Sequence, residues 1–262
     1  MALHDSYARR TPFELAFPDS GRAEALASES IEEASARGVD PHHPQMFATL
    51  GSVGRFLLEL RDAEAPADAL HQYAALAFHG VHFVRAGRPL YLIDAAATRR
   101  LVVEVPGRIP EPPHGAGYLQ LPQHLVWIEA ADEQVPESVD GIFWTVTPAN
   151  TLHALLVTGM RPDRPGVSVV PIPEAPLADA TAWMSAEVRS EGQGADFSSA
   201  IPGASLDGLL GLRTAGEPLK LLARFFAHVD SESAQEVDPP SDAGPPGPTP
   251  SGLRFRRVGV DG

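Results

Sequence analysis

Residues 117–146 read GYLQLPQHLVWIEAADEQVPESVDGIFWTV and hold two of the chain's three tryptophans. Within them GYLQL, HLVWIEA and the start of GIFWTVT have the length and the β-branched or aromatic content of strands, with a Leu-Pro step between the first two. Proline cannot donate a ladder hydrogen bond, so Tyr118 to Trp127 is expected to form two antiparallel strands turning near Pro122. Strand alternation puts Phe143 and Trp144 on opposite faces. Downstream, TLHALLVTGM and GVSVVPI continue the strand pattern, joined by RPDRPG at 161–166, a credible hairpin loop because proline presets φ and glycine accepts positive φ.

Upstream of this block the period changes to helical. Ser20 can cap GRAEALASESIEEASAR, which Gly38 is placed to stop. Pro44 suits the first turn of PQMFATLGSVGRFLLELR, where Met46, Phe47, Leu50, Val53, Leu57 and Leu60 approximate one apolar face. A third helix, ADALHQYAALAFHGVHFV, follows Pro66. After Gly87, PLYLID reads as a strand and Asp94 can cap the short helix AAATRRLV. ADATAWMSAEV and GEPLKLLARFFAHV read as two later helices, the second with Leu219, Leu222, Phe225 and Phe226 inward.

Helices grouped ahead of closely spaced strands point to an α+β fold: N-terminal helices packed on a mainly antiparallel sheet, with further C-terminal helices. One domain is expected over 1–236. DPPSDAGPPGPTPSG gives a Pro/Gly-rich linker over 237–252, and 253–262 a short basic C-terminal strand or tail. LRFRRVGV is read as an edge strand that docks on the sheet with its arginines outward; the alternative is a free arm whose Arg254, Arg256 and Arg257 meet an acidic partner or RNA.

The totals narrow the chemistry. At 262 residues with 44% hydrophobic content the chain can bury a sizeable core. A net charge of −14 opposes broad nucleic-acid or anionic-membrane surfaces, leaving the basic tail as the one route to nucleic acid. With no cysteine there are no disulfides, thiolate metal sites or cysteine nucleophiles. The N-terminus lacks the apolar core of a signal peptide and no apolar run is long enough to span a membrane, so a cytoplasmic location is expected. His71, His79 and His82 share a broad sector of the third helix, but their spacing is no recognised ligand pattern and no metal is expected. Glycine phosphate loops and nucleophile signatures are missing, so no catalytic residue and no cofactor is assigned.

Residues 78–146 resemble a phage-derived anti-CRISPR family directed against type V-A systems, the second family named for that system. The likeness is carried by FHGVHFVRAGRPLYLID ending in Asp94, by GYLQLPQHLVWIEA with Leu121, Pro122 and Trp127, and by VDGIFWTV with Gly141, Phe143 and Trp144. The resemblance implies a non-enzymatic inhibitor of the type V effector nuclease that recognises its polypeptide while it is being made. The region beyond it departs from the family, with Pro-Gly linker where the family is richly basic and aromatic. The expected partner is therefore a protein or nascent polypeptide, with Tyr118, Gln120, Trp127, Trp144, Arg254 and Arg256 as candidate binding residues. The alternatives are a cellular binding or scaffold protein of unrelated purpose, or an enzyme whose site is unrecognised.

Overall fold

Helix ends in this chain are set by side chains and glycine placed where local chemistry requires them. The computed structural model describes residues 20–60, 69–103, 111–122, 125–128, 137–158, 168–177, 188–190, 210–212, 216–229, 234–237 and 254–258. Helix α1, Ser20–Arg37, buries Ala23, Leu26, Ala27, Ser30 and Ala34, the stripe that a 3.6-residue period brings to one side. It stops as expected at Gly38, whose φ of +63° lets Gly38 and Val39 donate back to the carbonyls of Ser35 and Ala34.

The single helix expected over 44–61 is two, α2 at Pro44–Phe47 and α3 at Gly51–Leu60. The cause lies on α1. The Glu33 carboxylate accepts the backbone N–H groups of Gly51 at 2.7 Å and Ser52 at 2.8 Å, so a new helix N-terminus is satisfied there and the first helix ends. Helix α4, Ala69–Arg85, is buried on all sides from Leu76 to Phe83 because it runs between α1 and the sheet. Asp94 caps α5, Ala95–Val103, as expected: its Oδ1 accepts the Ala97 N–H at 2.7 Å. Helix α6 is Gly216–His228. Among the described residues no helix is long and apolar enough to cross a membrane.

The strands are β1 Pro89–Leu92, β2 Ala116–Gln120, β3 Val126–Ile128, β4 Glu137–Val146, β5 Thr151–Thr158, β6 Ser168–Pro176, β7 Val188–Ser190, β8 Leu210–Leu212, β9 Ala234–Val237 and β10 Arg254–Val258. They join one mixed sheet, mostly antiparallel, and the fold is α+β. The parallel pairings are β1 with β2, β1 with β10, and β3 with β8.

The expected hairpin at Pro122 is not formed. β2 and β3 run in the same direction along one edge of β4, Gln120 opposite Gly141 and Val126 opposite Val139. Between them Leu121 still donates to the Asp140 carbonyl at 3.0 Å. The missing proline N–H interrupts the ladder without reversing the chain, and β4 has its own register shift at the same level, between Val139 and Gly141.

LRFRRVGV docks on the sheet, but it is no edge: β10 lies between β1 and β9. β5 pairs antiparallel with β6 as expected, while the RPDRPG loop, most of ADATAWMSAEV and the Pro/Gly-rich linker fall outside the described residues.

Alternation along the strands divides the core in two. Leu90, Leu92, Tyr118, Phe143, Leu155 and Val157 pack with α1 to α4. Tyr91, Leu119, Ile142, Trp144, Ala154 and Leu156 pack with α5 and α6. Phe143 and Trp144 are thus on opposite faces, as their spacing requires, and helices cover both.

Candidate functional site

The aromatic candidates are interior. Tyr118, Gln120, Trp127 and Trp144, expected as binding residues, are at most 3% exposed. Tyr118 lies 4.4 Å from Phe143, ring centre to ring centre. Trp144 packs on Tyr91, Phe225 and Phe226, and its indole N–H donates to the His114 carbonyl at 3.0 Å. A strand covered by helices on both faces cannot present either set of side chains to a partner. These residues are part of the packed interior of the fold.

A polar constellation sits where Trp144 meets the sheet's C-terminal arm. Tyr91 on β1 and Arg256 on β10 are register partners, and His114 precedes β2 on the other side of β1. The Arg256 Nη1 donates to Tyr91 Oη at 3.3 Å and to His114 Nε2 at 2.9 Å, and its guanidinium carbon stands 5.7 Å from the Tyr91 ring centre. Arg256 is half-buried rather than turned outward, which corrects the expectation for this strand. Burial, then the Arg256 charge, lowers the His114 pKa below its ordinary value; burial raises that of Tyr91 against the opposing effect of Arg256. Both rings are thus held neutral beside a permanent cation. Arg254 pairs through its backbone with Pro89, and its side chain is outside the described residues.

A second group of titratable side chains is packed between α4 and the sheet. His79 Nδ1 lies 3.0 Å from Thr145 Oγ1, His82 Nε2 donates to the Pro41 carbonyl at 3.0 Å, and the His42 and His82 rings stack at 4.7 Å. His153 meets Phe78 from β5. Burial pushes His82 down to about 4 and His79 well below its ordinary value. These rings are tied to backbone, hydroxyl and aromatic partners. Among the described residues no group of three or more His, Cys, Asp or Glu is arranged to hold a metal.

A crystal structure of AcrVA2, an anti-CRISPR against type V-A, overlaps this chain. The overlap covers 94% of this chain and 81% of that one at 13% identity, with a TM-score of 0.46, too low to carry over residues or activity. No protein-family model matches the chain, and no curated protein matches it in sequence.

Sequence reasoning named Arg256 but missed Tyr91 and His114. What joins the three is parallel pairing of β1 with β10 and with β2, strands separated by long stretches of chain, and no local pattern encodes it. A signal for the buried rings was present: Gly117 leaves room for Trp144 and Gly141 for Tyr118 in the strands where large rings pack.

Proposed function

We propose that this chain is a non-enzymatic polypeptide-binding protein that inhibits a type V effector nuclease. The resemblance of residues 78–146 supplies the class of target. The observation that carries polypeptide binding is the sheet's C-terminal arm: β10 pairs β1 on one side and β9 on the other, and among the described residues β9 has no further strand beyond it. An outer strand without proline has backbone donors and acceptors to offer an extended peptide. β6, outermost beside β5, contains Pro171, Pro173 and Pro176, which cannot donate and so make it a poorer template. The contact region in this reading is the β9–β10 arm with Arg256, in place of the interior aromatics.

Plasmid interference by a type V-A nuclease in cells expressing this chain tests the reading. Transformation by the targeted plasmid is expected to return to the level of cells without a guide. Interference unchanged by soluble, folded protein would overturn it.

A further inference from the structure

Arg256 is a half-buried cation that forms no ion pair with a carboxylate among the described residues. Its two side-chain acceptors, Tyr91 Oη and His114 Nε2, both take hydrogens of Nη1. An arginine stays charged at any pH the fold meets, so His114 Nε2 must accept and its ring proton sits on Nδ1. Neutral acceptors orient the guanidinium without cancelling its charge. Stacking against Tyr91 adds a further restraint.

This arrangement leaves a defined set of donors. With Nη1 engaged, the Nε–H and the Nη2 hydrogens form the side-on fork that matches the two oxygens of one carboxylate, and among the described residues neither donates to a protein acceptor. Glu236, in register with Arg256 on β9 and exposed, forms no ion pair with it, and the guanidinium reaches the opposite way, across β1 to His114. A net charge of −14 repels a long polyanion far more than a single carboxylate, which favours an acidic peptide over RNA.

We propose that Arg256, held by His114 and Tyr91, is a carboxylate-binding subsite that takes an acidic side chain or the C-terminus of a peptide. The fork is independent of the proposed function; the choice of a peptide as its carrier rests on it.

The test is an NMR titration of the full chain with the acetylated, amidated peptide Gly-Glu-Gly-Glu-Gly, its glutamine counterpart, inorganic phosphate and a short oligouridylate. The reporters are the Trp144 indole N–H, bonded to the His114 carbonyl, and the His114 ring protons. The acidic peptide is expected to shift both saturably, and to raise the His114 midpoint because a bound carboxylate offsets the Arg256 charge. Arg256→Lys keeps the charge but loses the fork and should weaken binding roughly tenfold, the loss of one charge-assisted hydrogen bond. Arg256→Gln should abolish it. Glu236→Gln, which removes an opposing charge across the ladder, should tighten it severalfold. Equal shifts with the glutamine peptide, unchanged binding to folded Arg256→Gln, or saturation by oligouridylate or phosphate alone would overturn the subsite. Peptide binding through Arg256 in a chain that leaves type V interference intact would keep the subsite and sink the proposed function.

Discussion

The indole of Trp144 occupies the space where a side chain on Gly117, its register partner across β2 and β4, would begin. A Cβ at Gly117 would clash with Cζ2 and Cη2 of the six-membered ring, and the ring is fixed by Tyr91, Phe225, Phe226 and the bond to His114. Glycine–aromatic pairing across strands lets the ring fold down on the sheet and fill the layer under α6. Gly117→Ala should therefore cost about 2–3 kcal/mol by overpacking, read as a lower urea midpoint. In a Trp144→Phe background, where the outer ring is gone, the same substitution should cost less. Equal costs in both backgrounds would mean the contact does not set the packing.

The buried histidines make stability depend on pH in a direction the geometry fixes. His82 falls from 6.5 to about 4, through burial first, with the Pro41 carbonyl opposing and His42, Arg85 and His153 adding to the fall. The unfolded chain thus takes up a proton near pH 6.5 that the fold accepts only near 4. Stability from this residue is full above pH 6.5, declines on acidification through that window, and is lost by up to roughly 3 kcal/mol below it. His79, also held well below its ordinary value by burial with His153 and His82 contributing, adds to the loss on acidification in the same direction. Urea midpoints measured between pH 7 and pH 4 should fall, and His82→Gln should flatten part of that slope.

Glu33 titrates in a lower window. Its pKa drops from 4.5 to about 2, mainly because the Gly51 and Ser52 amides donate to it, with Arg37 adding a bond at 3.0 Å. The contribution is present above pH 4.5 and lost as pH falls toward 2. Glu33→Gln should cost about 1–2 kcal/mol at neutral pH, since the carboxylate serves as the cap of α3. Hydrogen exchange should quicken at the start of α3 in that variant. Unaltered protection there would show that the α2–α3 break has another cause.

Much of the fold was legible because period and punctuation are local. Asp94 before α5, Gly38 after α1 and the strand character of GIFWTVT were each visible in a few residues. Three things were not. The break after Phe47 depends on Glu33, a residue of another helix. The collinear course of β2 and β3 depends on both finding the same edge of β4, and a Leu-Pro step reads equally as a turn or an interruption. The burial of Tyr118 and Trp144 follows from helices on both faces, and residues 117–146 alone do not reveal what covers them. The candidate site was the least legible, since residue type does not reveal burial and Tyr91, His114 and Arg256 meet only through long-range strand pairing.

The C-terminal strand should be indispensable. β10 is the parallel neighbour of β1 and carries β9 on its far side. A chain ending at Val237 would expose the β1 edge, strip Arg256 from Tyr91 and His114, and leave β9 unpaired among the described strands. Such a truncation is expected to lower the thermal midpoint sharply and to bind exposed-surface dyes. Retention of the full-length midpoint would show β10 to be dispensable.

Cell-free synthesis of a type V-A effector nuclease in the presence of this chain bears most directly on polypeptide binding. Tagged chain added in excess should co-purify with the growing effector polypeptide and reduce the yield of active nuclease, with no effect on an unrelated protein made in the same extract. Full nuclease yield, with no effector polypeptide retained on the folded, tagged chain, would contradict the account.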